Sequence, residues 1–419
     1  MGARIPAAIL ICLTYCFFPL PFSAVNVINH GQAAAVSMTT APGEVVVSTA
    51  AELAEAVRQA NLGGPKTILV QDGAYSLDDM LWVEASGVTV RSLSGNRSAV
   101  IIQGQGMAGG VTHIFNVPGA DFTARDLTLR RVSQHAVQIH GNFNAAAPVL
   151  KNLHILETGE QMIKVSYDPA DLGKRADNGV VEGCLLEYSA GIGPQWYIGG
   201  VDAHNALNLV VRRNVFRGIR SPADAVAEFA VHFWSDSADT LVEGNTIINC
   251  DRGIGLGLGD RGHQRGIVRN NMIYHNATEG FADVGIALES APGAQVYNNT
   301  IYQEHSYPNA IEYRFPATTG VLIANNLTNK AVSMRDGAAG AVSHNVANAQ
   351  AGWFLNPGAG DLHLKTARLE VVDQGISIAG LTDDFDGQAR PQGPGIDIGA
   401  DEFRLPDASA PAAILLLAN

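Results

Sequence analysis

The chain has 419 residues, 47% of them hydrophobic and 16% charged, which supplies a large core and excludes a disordered or fibrous polymer. The formal charge of −13 argues against broad nucleic-acid or anionic-membrane binding, yet permits an acidic substrate in a locally basic groove. Two of the four cysteines, Cys12 and Cys16, lie in the leader, so Cys184 and Cys250 alone cannot build a disulfide framework, and neither sits in CxxC metal spacing.

In chain order, Arg4 precedes an apolar run that is broken by Pro19 and Pro21 and exits at Ser23-Ala24. That layout predicts a signal peptide over residues 1–24 and export of the mature protein, secreted or periplasmic, with no stable membrane span after signal removal. Residues 25–43 read as a linker. The stretch "STAAELAEAVRQAN" (48–61) places Thr49 and Glu52 in capping-box spacing and predicts a short amphipathic helix over about 49–61. The apolar part of the tail, residues 404–419, is too short to cross a bilayer.

Between helix and tail one pattern recurs: an aliphatic residue, two mostly polar residues, Asn, then an apolar stretch. It reads "VRRNVF" (211–216), "VEGNTI" (242–247), "VRNNMI" (268–273), "VYNNTI" (296–301), "IANNLT" (323–328) and "VSHNVA" (342–347). The asparagines, from Asn214 to Asn345, are spaced 19 to 31 residues apart, and degenerate copies precede them, with Cys184 at the Asn position of one. Short β-rich segments at such a period predict an all-β solenoid, with the asparagines stacked at one corner where the chain turns in the left-handed region.

The repeat resembles that of the right-handed parallel β-helix superfamily with the pectin-lyase-like fold, including chondroitinase B-like and other polysaccharide lyases. The 48–61 helix would then cap the N-terminal end, and "DFDGQARPQGPGIDIGADEF" (384–403) resembles the closing segment of secreted β-helix proteins. The expected domain is a single right-handed parallel β-helix over residues 44–403.

Each copy also carries a strand with alternating apolar residues. Laid side by side, these strands give two outward columns. One reads Gln138, Lys164, Asp202, His232, Gly255, Ala287, Glu312, Ser333; the other reads His140, Ser166, His204, Trp234, Gly257, Glu289, Arg314, Arg335. Gly255 and Gly257, from "GIGLGLGD", make a bare floor on which a ligand or a covering loop could lie. The G-x-G-x-G spacing, with no helix after it, is not a phosphate loop.

Lys164, Asp202, His204 and His232 crowd one side of this floor, where His232 oriented by Asp202, or Lys164 with a lowered pKa, can serve as a general base. Lys164 or Arg314 can neutralise a substrate carboxylate. Trp234 can stack on sugar, and Glu289, Glu312 and Arg335 can contact substrate on the far side, where the alternative is a simple Glu–Arg ladder. Two imidazoles and a carboxylate (Asp202, His204, His232) also suit a transition metal, while Asp168, Asp236 and Asp260 could serve calcium. The cofactor stays unknown on these residues, with a divalent cation such as calcium as a candidate.

The resemblance implies β-elimination on a uronic-acid polysaccharide by a monomeric enzyme. A glycoside hydrolase using Asp202 and Glu289 is the first alternative. A non-catalytic polysaccharide-binding or surface protein is the second.

Overall fold

A computed structural model describes residues 42–404 apart from 224, 279 and 281. The expected signal peptide, nearly all of the linker and the tail from residue 405 lie outside the described residues.

Aliphatic side chains that recur once per coil dictate the architecture. Val211, Val242, Val268, Val296 and Ile323, which open successive repeats, pair in register and are fully buried in one continuous core. Each such burial contributes about 1.5–3 kcal/mol, so the core is assembled coil by coil. Three parallel sheets of 12, 10 and 10 strands result, each strand bonding its counterparts in the coils before and after.

The corner expected to hold the asparagines holds them. The side-chain amide of Asn214 donates to Asn245 Oδ1 at 3.0 Å, and the chain continues through Asn271, Asn299, Asn326 and Asn345 at 2.9 Å each. The left-handed turn is made one residue earlier than expected. Arg213, Gly244, Asn270, Asn298, Asn325 and His344 have φ between 51° and 62°, which leaves the ladder residues free to aim inward.

The helix Ala50–Asn61 buries Leu53, Ala56, Val57 and Ala60 against the first coil. Thr49 caps it by accepting from the Glu52 backbone N–H at 3.1 Å, but Glu52 reaches back to Ser48 rather than Thr49, accepting from its N–H at 2.7 Å.

The far end departs from expectation. The last strand of the three sheets is Gly340–Ser343. Beyond it, the antiparallel pair Phe354–Asn356 and Asp361–Leu364 and the following loops fold back over the outer face of the third sheet, which runs from Gly73–Ser76 to Leu327–Thr328. There Trp353, Phe354, Leu362 and Ile398 pack on Met272 and Leu327. The segment lacks the once-per-coil aliphatic rhythm and therefore covers the solenoid instead of extending it. Cys184 and Cys250 are buried and unbridged.

Candidate active site

The second sheet runs from Leu81–Trp82 to Ala331–Arg335, and its registers reproduce the first column and, apart from Ser166–His204 and the two pairs of Gly257, the second. Lys164 pairs with Asp202, Asp202 with His232, His232 with Gly255, Gly255 with Ala287, and Ala287 with Glu312. His140 pairs with Ser166, His204 with Trp234, Glu289 with Arg314 and Arg314 with Arg335. The intervening Val165, Ala203 and Phe233 belong to the core, so the polar side chains leave the opposite face.

That face is covered where it was expected to be open. The insertion over 218–230 brings Phe229 against the strands, where it packs with Val284, Ala287 and Tyr307. A Cβ on Gly255 would lie 2.7 Å from the Phe229 ring, so this glycine makes room for a protein side chain rather than for substrate. Gly257 is not a strand residue with an outward face. Its φ is +80°, and a Cβ there would stand 1.8 Å from the Glu289 carbonyl oxygen. It begins the turn that delivers Arg261, closed by reciprocal backbone bonds between Leu258 and Arg261 at 3.0 Å.

His232 is 0% exposed, stacked nearly parallel to Trp234 at 4.9 Å and packed on Phe229 at 4.8 Å. Its Nε2 meets the Gly257 carbonyl at 3.2 Å, and Glu228 lies 3.8 Å from Nδ1. Burial pushes its pKa down to about 4, against the raising effect of Asp202 and Gly257. The expected His232–Asp202 hydrogen bond is not formed, and a sealed imidazole cannot reach a substrate proton.

Asp202 instead accepts from Lys164 Nζ at 3.1 Å through Oδ2 and from Trp234 Nε1 at 2.8 Å through Oδ1, with His204 Nε2 at 3.4 Å. Burial alone would raise its carboxyl, but Lys164 and the two imidazoles hold it well below the usual range. Burial likewise opposes the charge on Lys164, and the Asp202 carboxylate outweighs it, keeping the ammonium above its ordinary value. Lys164 Nζ also donates to His204 Nε2 at 3.0 Å, while Nδ1 faces Ser235 Oγ at 3.2 Å and Arg261 Nη2 at 3.4 Å. Burial and Lys164 keep His204 neutral, well below the ordinary histidine value. With Lys164 lodged between Asp202 and His204, and His232 turned to Gly257, these three do not form a metal-ligand set. Asp168, Asp236 and Asp260 do not converge into one either.

Trp234 is no exposed sugar platform, because the Arg261 guanidinium lies 3.9 Å above its ring. Arg261 also donates to Tyr167 Oη at 3.2 Å, and Tyr167 stacks on His204 at 5.0 Å. Tyr167 and Arg261 are the half-buried groups through which the cluster meets solvent, while Lys164 is 9% exposed beneath them. The columns missed both, since Tyr167 is the residue after the strand Ile163–Ser166 and Arg261 follows a glycine-rich turn. Reading one residue past each strand would have found Tyr167; Arg261 leaves no comparable periodic signal.

The remaining expected residues form a separate group. Arg314 pairs with Asp336 at 2.8 Å and approaches Glu289 at 3.6 Å, while Arg335 pairs with Glu312 at 2.9 Å. Glu289 also accepts from the Gly259 N–H at 2.6 Å. Five coil steps separate Arg314 from Lys164, about 24 Å at the inter-strand spacing, so the two cannot serve one chemical step. Toward the other end the same face carries Trp82 and Phe143, both exposed, with His140 between them at ring separations of 5.9 and 5.7 Å.

Residues 112–326 match the family model described as the right-handed beta helix region. No curated protein matches the chain in sequence. Among solved structures, pectate lyase Pel9A aligns with a TM-score of 0.50 at 14% identity, covering 81% of this chain and 88% of its own. An alginate lyase from a Paenibacillus strain aligns at 0.44 and 18% identity over 71% of this chain and 99% of its own. A family 6 polysaccharide lyase from Pseudopedobacter saltans aligns at 0.33 and 12% identity, over 80% and 99%. These neighbours are polysaccharide-degrading enzymes, and at such identities the likeness is one of fold. With its three stacked parallel sheets and a family match over half its length, the chain belongs to the right-handed β-helix family and has the pectin-lyase-like fold.

Proposed function

We propose that the protein is an exported carbohydrate-active enzyme that cleaves a uronic-acid polysaccharide by β-elimination at the Lys164 end of the second sheet. The observation that carries this reading is the grouping of two cations, Lys164 and Arg261, around a neutral imidazole and the accessible phenol of Tyr167. The cations draw a substrate carboxylate and acidify the proton on the adjacent C5. Tyr167 Oη gives its proton to the leaving C4 oxygen and takes the C5 proton in its place, while the C–H electron pair forms the C4–C5 double bond as the C4–O bond breaks. Asp202 is a positioning residue that holds Lys164. The exposed rings of Trp82 and Phe143 offer stacking surfaces for neighbouring sugars on the same face.

The hydrolase alternative has less support. Asp202 is committed to Lys164, and Glu289 stands three coil steps away, about 14 Å along the axis, beyond the roughly 6.5–9.5 Å of an inverting pair.

The test is a panel of uronic-acid polysaccharides followed by the ultraviolet absorbance of the new double bond. Absorbance should grow with at least one polymer, and Tyr167→Phe should remove it with an unchanged melting temperature. Binding without any unsaturated product would overturn the lyase reading in favour of a binding protein.

A further inference from the structure

His363 stands on the strand Asp361–Leu364, while Asp386 and Asp401 come from the closing segment that lies over the third sheet. Among the described residues this is the group whose histidine and carboxylate donor atoms all fall within 4.8 Å of one another. His363 Nε2 is 3.2 Å from Asp386 Oδ2 and 4.0 Å from Asp401 Oδ1. Ligands bound to one transition ion at about 2.1 Å are themselves about 3–3.5 Å apart, so only a small closure is needed.

The imidazole is aimed before any ion arrives. Its Nδ1 meets Asp361 Oδ1 at 2.6 Å, and the Phe385 ring packs edge-on at 5.7 Å. With Nδ1–H fixed in this way, Nε2 is the nitrogen presented to the two carboxylates, the orientation that proteins impose on metal-binding histidines. Asp384 sets both carboxylate-bearing loops: its Oδ1 accepts from the Asp386 N–H at 3.0 Å, and its Oδ2 from the Glu402 N–H at 3.3 Å.

Charge points the same way. Asp361, Asp386 and Asp401 surround one imidazole, and among the described residues no Lys or Arg forms an ion pair with Asp386 or Asp401. The nearby Arg390 is spent on Glu402 at 2.5 Å. A divalent cation that replaces the Nε2 proton, released to solvent, neutralises this surplus. An imidazole nitrogen among the donors favours a transition ion over calcium.

We propose that His363, Asp386 and Asp401 bind one divalent transition ion of the zinc or cobalt class, which clamps the closing segment onto the solenoid. Asp361 positions the imidazole, and water completes the coordination on the exposed Asp386 side.

The experiment uses the full-length protein, stripped with a chelator and titrated with Co2+. One ion per chain, a visible cobalt absorption band and a higher melting temperature are expected. Asp386→Asn, at an exposed carboxylate, should fold like the stripped parent yet bind at least tenfold more weakly. Asp361→Asn should weaken binding about 10- to 100-fold by loosening the imidazole. His363→Ala should abolish the band; if that variant does not fold, Asp386→Asn decides alone. Less than one bound ion per chain, or unchanged affinity in Asp386→Asn, would overturn the site. Neither outcome bears on polysaccharide cleavage.

Discussion

Two rows of polar side chains run along this solenoid, one residue per coil, and they are held in opposite ways. In the asparagine ladder each amide is satisfied by an identical amide in the next coil and by backbone carbonyls such as Val211 O and Val242 O. Every member is neutral, all but the terminal Asn345 are buried, and the row sustains itself for as long as the repeat continues. In the column through Lys164, Asp202 and His232 the neighbours differ in charge and shape, so Asp202 is met by Lys164 and Trp234 within the sheet while the rest of the face is completed from outside it. Arg261 arrives on a turn, while Phe229 and Glu228 arrive on an insertion. A uniform polar row can be built by repetition, whereas a mixed one needs loops that repeat nothing.

The largest expected difference between the rows is their response to pH. The ladder has no titrating group. Around the column, burial depresses His232 to about 4 and His135 and His263 to about 3. A histidine whose folded pKa lies below its ordinary 6.5 contributes stability that is complete above pH 6.5 and lost as the pH falls toward the folded value. His232 alone amounts to about 3 kcal/mol across that window. With no ion at Nε2, His363 has the opposite sign. Burial would lower it, but Asp361 and Asp386 raise it to about 10, so its contribution is complete below pH 6.5 and fades as the pH rises toward 10. The melting temperature of the chelator-stripped protein, followed by calorimetry, should therefore peak near pH 6.5 and fall more steeply on the acid side. A flat acid limb would mean that the column is open to water and not sealed by Phe229.

Next in size is the ion pair. Lys164→Ala leaves the Asp202 carboxylate buried without its cation, a change that costs about 3–5 kcal/mol in comparable sites. The double variant Lys164→Met with Asp202→Asn removes both charges and should recover most of that loss in a urea melt, while remaining inactive on any polysaccharide the parent cleaves. If the single and double variants are equally unstable, packing and not charge holds this face together.

The same contrast explains what could be read from the sequence. The repeat register anticipated the fold, the asparagine corner, every cross-strand pair of the first column and four of the seven in the second, because a solenoid fixes neighbours by counting. Counting does not say which outward positions stay outward. Phe229 lies in an insertion that matches no other coil, and its ring turned an apparent glycine floor into a packed contact at Gly255. Gly257 looked like a strand residue because glycine alternated with leucine, yet its positive φ makes it the start of a turn. Tyr167 and Arg261 sit where strand gives way to loop, outside the alternation that identified Lys164 and His204. The closing segment was recognised, but its composition could not show that it doubles back along the third sheet.

The smallest effect belongs to the ladder, and its size tests how the row is held. Asn271 donates to Val242 O, Arg269 O and Asn299 Oδ1 and accepts from the N–H and side-chain amide of Asn245. Asn271→Ala deletes these bonds and leaves the backbone N–H of Asn245 and one side-chain N–H of Asn245 without their acceptor in a buried corner, while Asn299 Oδ1 keeps the Asn271 backbone N–H at 3.1 Å. An unsatisfied buried group costs about 1–3 kcal/mol, but each neighbour keeps backbone partners on its other side, so a total loss of about 2–3 kcal/mol is expected. Asn345, at the half-buried end of the row, donates only to Ile323 O and Ser343 O and has one ladder neighbour. Asn345→Ala should cost less, about 1 kcal/mol. Equal losses at both positions in denaturant melts would mean that each asparagine acts alone through its own backbone bonds. A larger loss at Asn271 is what side-chain coupling from coil to coil requires, since an interior rung breaks contact with two neighbours and a terminal rung with one.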